Sequence, residues 1–187
     1  MLILEREQKL ILLALARSAI ERWVGEGERA IDSTGDAGLT ELAGAFVTLH
    51  REGELRGCIG RIRADHPLEQ VVQEVAISAA TGDPRFYPVR SGEISEIDLE
   101  VSVISPFRIV QDIQEIEVGR DGLMISEGHI SGLLLPQVAS EYGWDRETFL
   151  EQTCLKAGLP KTRWREASVK IEAFSAIVFS EKELGLK

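Results

Sequence analysis

Cysteine and histidine are scarce in this sequence, and long hydrophobic runs are missing. There are two cysteines, Cys58 and Cys154, neither in a Cys-x-x-Cys pair, and three scattered histidines, so we expect no metal site. The apolar runs are short and broken by charge, which excludes a membrane-spanning helix. The acidic start of the chain lacks the basic residues of a secretory signal. We therefore expect a cytoplasmic protein whose thiols are reduced.

Basic residues are outnumbered by acidic ones, and the formal net charge is −10 at pH 7. An acidic surface repels phosphate backbones, so nucleic acid is not an expected partner. A local exception is a group of four arginines, Arg51, Arg56, Arg61 and Arg63. These arginines would suit a discrete small anion, but they would equally serve as partners of surface carboxylates.

The hydrophobic pattern predicts an α+β fold in which helices flank an antiparallel β-sheet. The 187 residues, 44% of them hydrophobic, suffice for one good-sized domain over residues 1–187. Helical spacing predicts helices at 5–24, 67–82, 136–142 and 145–157. Alternation and flanking turns predict strands at 45–50, 55–63, 97–104 and 169–179. The apolar face of the first helix consists of Leu10, Leu13, Ile20 and Val24, with Arg17 as an interruption.

Residues 55–60 lie in a predicted strand and have the sequence Leu-Arg-Gly-Cys-Ile-Gly, in which two of six residues are glycine. Glycine weakens a strand, so it indicates that another chain segment, a bulge or a ligand approaches the backbone closely. A turn at Glu52-Gly53 joins this strand to the one before it. Regular pairing about that turn would place Val47 opposite Cys58 and give the thiol an apolar setting.

The segment 127–135 repeats the pattern of 52–60 at an offset of 75 residues. Both have Glu-Gly, then Leu or Ile, then Gly before small or apolar residues, and both precede a proline and a predicted helix. The repeat favours a duplicated hairpin–helix unit, in two lobes that share a core. Leu133 stands where the first copy has Cys58, which favours a Cys58 that points into a core.

The sequence resembles the AMMECR domain family over nearly its whole length. The family-like motifs occur in the expected order and are residues 46–49, the hallmark 55–60, 83–88, 99–103, 132–139, 143–144 and 154–159. The resemblance implies an α+β fold with an antiparallel sheet, but no particular reaction or cofactor. Similarity to the prokaryotic branch, which includes protein A of the AmmeMemoRadiSam system, suggests a Memo-like protein and a radical-SAM protein as partners.

Cys58 and the turn at residues 83–88 are the main candidates for a functional site. Cys58 would be a nucleophile or redox thiol if a positive neighbour and exposure activate it, but burial as a core thiol is the favoured alternative. Asp83 and Arg85 straddle Pro84, where they could hold a substrate. The alternative, slightly favoured, is that Asp83 caps the turn and Arg85 clamps it.

Glu100 lies on the strand face opposite Leu99 and Val101. If that face is covered, the carboxylate needs a partner such as Arg56 or Arg85, and if it is open, Glu100 is simply solvated. Thr48 could line the same surface.

Two functional hypotheses follow from these residues. The first is an enzyme or small-molecule-handling protein with a cleft between residues 55–60 and 83–88. Its candidate residues are Cys58, Asp83 and Glu100 for catalysis, and Arg56, Arg85 and Thr48 for binding an anionic or carbonyl-bearing substrate. The second is a non-catalytic adaptor that docks partner proteins, which the lack of a recognisable catalytic set supports.

Overall fold

A computed structural model describes residues 3–187. The helices and strands, in chain order, are α1 (Arg6–Glu26), β1 (Gly44–Arg51), β2 (Glu54–Arg61), α2 (Leu68–Thr81), β3 (Ile97–Ile104), β4 (Arg108–Ile109), β5 (Asp121–Glu127), β6 (Ile130–Leu134), α3 (Pro136–Glu141), α4 (Arg146–Lys156), β7 (Lys170–Ser180) and α5 (Glu181–Leu184). The strands pair antiparallel, so the predicted α+β class is confirmed. None of the helices within the described residues has the apolar length that a bilayer crossing needs.

The chain divides into two compact units. Residues 3–104 together with Ile177–Lys187 form the first unit, and Ser105–Ala176 form the second. Each unit has its own cluster of buried hydrophobic side chains, where two lobes around a shared core were expected.

In the first unit, β1 lies between β2 and β3. Alternate residues of these strands pack with α1 and α2 in one hydrophobic cluster, whose strand members include Val47, Leu49, Leu99, Val101 and Val103. The predicted apolar face of β3 is therefore confirmed. One face of this three-stranded sheet is covered by helices, and the alternate residues point to the other face.

Helix α1 buries most of the predicted apolar face, because Leu13 and Ile20 are buried and Val24 packs against the same cluster. Its buried residues are Leu12, Leu13, Leu15, Ala16, Ala19 and Ile20, whereas Leu10 is only half-buried. Arg17 interrupts the apolar face because its guanidinium binds the buried carboxylate of Glu181, with Nε 2.5 Å from Oε1. The same guanidinium donates to the carbonyls of Ile94 and Ile97. Arg17 therefore ties α1 to α5 and to the start of β3 within the first unit.

The β1–β2 hairpin forms as predicted, but its register differs by one residue. Thr48, rather than Val47, lies opposite Cys58. The shift comes from a bulge beside Leu49, where Arg56 is the extra residue of β2. A shift of one residue moves each side chain opposite a different partner, so the apolar setting predicted for Cys58 is wrong.

The two glycines of residues 55–60 allow close approaches by the protein's own chain. A Cβ on Gly57 would lie 2.4 Å from the carbonyl oxygen of Ala79 in α2. A Cβ on Gly60 would lie 2.1 Å from the ring of Phe46. Neighbouring segments, together with the bulge, therefore account for these glycines without a ligand.

The second unit contains the same arrangement of hairpin and helix. Strands β5 and β6 form the hairpin predicted at residues 127–128. Gly132, which matches Gly57, packs against the end of α4, where a Cβ would lie 2.2 Å from the backbone nitrogen of Ala157. In both copies the glycine thus lets a helix backbone touch the second strand of the hairpin, which supports the predicted duplication.

Helix α4 also begins and packs as the sequence predicted. Asp145 caps its start, and its Oδ1 accepts a hydrogen bond from the backbone N–H of Thr148 at 2.8 Å. Cys154 lies in the buried cluster of the second unit. Burial raises the pKa of this thiol, so Cys154 is an inert packing residue at neutral pH.

Candidate functional site

The strand register of the first unit places three predicted site residues in one row. Thr48 of β1 lies opposite Cys58 of β2 on one side and opposite Glu100 of β3 on the other. Directly opposed residues of antiparallel strands point to the same face of a sheet. Because Val47 and Leu49 face the helices, the row lies on the face that α1 and α2 leave uncovered. All three of its side chains are half-buried.

The thiol of Cys58 is neither sealed in the core nor isolated. Its residue is half-buried, in contrast to Cys154, so the favoured expectation of a core thiol is wrong. The Thr48 hydroxyl donates a hydrogen bond to Sγ, with Oγ1 at 3.3 Å. The Thr48 hydroxyl thus holds the sulfur atom in a defined position.

The turn after α2 covers the outer edge of β2 at Cys58. Strand β2 is at the edge of its sheet, so the backbone of Cys58 needs partners on that side. Asp83 accepts the N–H of Cys58 at Oδ2, 2.9 Å away, and Nη2 of Arg85 lies 3.4 Å from the carbonyl oxygen of Cys58. One acidic and one basic side chain thereby take the place of a neighbouring strand.

Both carboxylate oxygens of Asp83 accept hydrogen bonds in this arrangement. Its side chain is only 2% exposed, and its oxygens accept from Nε, Nη2 and the backbone N–H of Arg85 as well as from the N–H of Cys58. These hydrogen bonds, above all those from the Arg85 guanidinium, hold the pKa of Asp83 far below its usual range. A carboxylate held ionised so strongly is a poor proton acceptor, so the geometry makes Asp83 a positioning residue.

Arg85 presents a positive charge to solvent beside Cys58. Its side chain is 54% exposed although it forms a two-pronged ion pair with Asp83, in which Nη2 lies 2.6 Å from Oδ2. The pair uses Nε and Nη2, so Nη1 is not part of it. The hydrogen bond to Asp83 raises the pKa of Arg85.

Arg56 does not join Cys58 and Arg85, contrary to expectation. Its guanidinium forms a two-pronged pair with Glu93, with distances of 3.2 Å from Nε and 3.1 Å from Nη2. Arg51 binds the same carboxylate at 3.1 Å. The hydrogen bonds from Arg56 are the main cause of the lowered pKa of Glu93. The bulge at Arg56 interrupts the regular alternation of β2 at this side chain.

Sequence reasoning missed the role of Glu93. It lies in a short 3-10 helix, Ser91–Glu96, with no motif to mark it. The expectation that the arginine group pairs with surface acids is correct for Arg51, Arg56 and also for Arg61, which binds Glu74 at 3.1 Å. Among residues 3–187 there is no group of three or more His, Cys, Asp and Glu side chains that could hold a metal ion.

Comparisons with known proteins agree with the motif resemblance. The AMMECR1 family model matches residues 13–179. A relative from Thermococcus gammatolerans, named only as a protein, is 46% identical over 91% of this chain and 89% of its own. Protein MJ0810 from Methanocaldococcus jannaschii is 42% identical over 98% of this chain and 94% of its own. The crystal structure of the uncharacterized protein PH0010 from Pyrococcus horikoshii has a TM-score of 0.85 at 40% identity, covering 94% of this chain and 92% of that one.

Proposed function

Given that the chain belongs to the AMMECR1 family, we propose that it handles an anionic or carbonyl-bearing small molecule at the Cys58 site. This site consists of Cys58, Thr48, Glu100 and Arg85, with Asp83 as its positioning residue. The observation that carries the proposal is the placement of a half-buried cysteine beside an exposed guanidinium, because the Asp83 carboxylate binds both the backbone N–H of Cys58 and the Arg85 side chain.

Each residue has a distinct role in this proposal. Arg85 attracts the anionic group of the substrate, and Cys58 provides the thiol next to it. Thr48 donates a hydrogen bond to the sulfur and so positions it. Acid–base chemistry falls to Glu100 rather than to Asp83, because the pKa of Asp83 is held too low for proton exchange near neutral pH. A reduced thiol at this site fits the cytoplasmic location that we also propose.

A pair of alkylating agents that differ in charge tests the proposal. Iodoacetate is an anion and iodoacetamide is neutral, while both react with thiolates. We expect native Cys58 to prefer iodoacetate by about fivefold relative to the same cysteine in unfolded protein, because a half-exposed cation contributes about 1 kcal/mol. The rates at Cys58 and Cys154 are followed separately by mass spectrometry of peptides.

Variants of Arg85 provide the controls for this experiment. Arg85→Gln is expected to abolish the preference for iodoacetate, and Arg85→Lys, which keeps the charge, to retain most of it. Arg63→Gln removes an exposed arginine elsewhere in the first unit and should change nothing. The proposal is wrong if native Cys58 is unreactive, or if the preference is absent in the natural protein or survives in Arg85→Gln.

A second candidate function is the adaptor, and the exposure of Tyr87 favours it. The Tyr87 side chain is 89% exposed in the same turn as Asp83 and Arg85, and exposed aromatic residues are enriched in protein interfaces. A Memo-like protein and a radical-SAM protein would be the partners. The adaptor is favoured if Tyr87→Ala abolishes their co-purification with this protein while Cys58→Ser leaves it intact.

A further inference from the structure

A second potential site in the first unit is a cavity rich in arginine. This arginine pocket has a volume of about 370 Å³ and is lined by Arg51, Arg56, Tyr87, Pro88, Arg90 and Glu93. Its volume lies in the range of pockets that hold small organic ligands. Three arginines meet two carboxylates here, since Arg51 binds Glu96 as well as Glu93, so the pocket has an excess of one positive charge although the chain as a whole has a net charge of −10. We propose that the arginine pocket binds a small phosphate ester that carries a ring.

Glu93 holds the arginines of the pocket in place by hydrogen bonds, but Glu93 and Glu96 together cannot neutralise three guanidinium groups. Glu93 accepts from Arg51 and Arg56 and from the backbone N–H of Arg90. The pair with Arg56 involves Nε and Nη2, so Nη1 remains for a ligand. Such a network fixes long side chains in place before a ligand arrives, which lowers the entropic cost of binding.

One further arginine in the lining lacks a carboxylate that would neutralise it. The side chain of Arg90 forms no ion pair within residues 3–187. Arg51, in contrast, is already paired with Glu93 and Glu96. The unpaired charge in the lining is therefore that of Arg90, which can donate hydrogen bonds to the oxygens of a phosphate group.

Tyr87 and Pro88 form the rest of the lining, and they favour a ligand that has a ring next to its phosphate group. Tyr87 is almost fully exposed, and with Pro88 it forms an apolar side next to the guanidinium groups. A flat ring packed on Tyr87 would bury apolar surface that is otherwise in water. The residues of this pocket are not those of the Cys58 site, so its role as an anion site does not depend on the function proposed above.

Binding of inorganic phosphate and phenyl phosphate, measured by isothermal titration calorimetry, tests the inference. We expect both to bind, with phenyl phosphate tighter by about threefold to tenfold because of the ring contact. Arg90→Gln should weaken both by about tenfold, since it removes a charged donor. Tyr87→Ala should remove only the advantage of phenyl phosphate and leave inorganic phosphate unchanged.

The controls separate a specific site from general attraction to arginine. Arg90 is exposed and in no ion pair, so its replacement should leave the fold intact. Arg63→Gln removes an equally exposed arginine outside the pocket and should not alter either affinity. The inference is overturned if neither probe binds, if Arg90→Gln binds as tightly as the natural protein, or if Arg63→Gln weakens binding as much.

Discussion

Replacing Asp83 with alanine is expected to lower the free energy of unfolding by about 3 kcal/mol, because the change removes several charge-assisted hydrogen bonds from a buried carboxylate. The variant leaves the N–H of Cys58 at the strand edge without its acceptor. It also frees Arg85 from its ion pair. Urea denaturation at pH 7 measures the loss. Glu54→Gln, which changes an exposed carboxylate of the same strand, should cost less than about 0.5 kcal/mol.

The contribution of Asp83 should also depend on pH in a defined direction. The native pKa of Asp83 is lowered, so the unfolded chain takes up a proton at a higher pH than the native protein does. The stabilisation is therefore complete above the ordinary aspartate pKa of about 3.9 and is lost as pH falls below it. The difference in stability between the natural protein and Asp83→Asn should accordingly be smaller at pH 3 than at pH 7. A difference that does not change with pH would contradict the ionised, hydrogen-bonded state of Asp83.

The glycines that match in the two copies should be equally intolerant of a methyl group. In Gly57→Ala and Gly132→Ala the new Cβ would meet helix backbone at 2.4 Å and 2.2 Å. Backbone cannot rotate away as a side chain can, so strand and helix must separate. We expect a loss of about 2–4 kcal/mol in each variant, near the upper end of overpacking effects. Thermal and urea unfolding measure this.

Gly92→Ala is the matched control for the glycine variants. A Cβ at Gly92 meets nothing within 4 Å, and the residue lies in a short helical turn. Alanine there should be neutral or slightly stabilising, by up to about 1 kcal/mol. If Gly57→Ala or Gly132→Ala were as stable as Gly92→Ala, the close contact between hairpin and helix in that copy would be refuted.

Local patterns in the sequence predict most elements of this fold. Alternation identifies β3, the proline and glycine residues mark the ends of α2, and Asp145 marks the start of α4. These features depend on neighbours in the chain, so periodicity and capping chemistry are sufficient to find them. The repeated glycine pattern even indicates the shared contact of Gly57 and Gly132.

The features that the sequence could not predict depend on distant partners. Arg17 is placed by Glu181, and Arg56 by Glu93, and no local pattern links these residues. The bulge at Arg56 shifts the hairpin by one residue, so that the residue opposite Cys58 is Thr48 and not the predicted Val47. A single extra residue in a strand leaves no clear trace in hydrophobicity. The candidate residues were thus identified from the sequence, but their grouping required the structure.

The crystal structure of the protein carboxymethylated at Cys58 tests the central claim most directly. Reaction with iodoacetate leaves a carboxylate attached to the sulfur, and this group acts as a tethered anionic ligand. We expect this carboxylate to lie within hydrogen-bond distance of the Arg85 guanidinium, with Asp83 still bound to Arg85 and to the N–H of Cys58. A carboxylate directed away from Arg85 into solvent would refute the proposed anion site, as would a crystal in which Cys58 remains unmodified after complete exposure to the reagent.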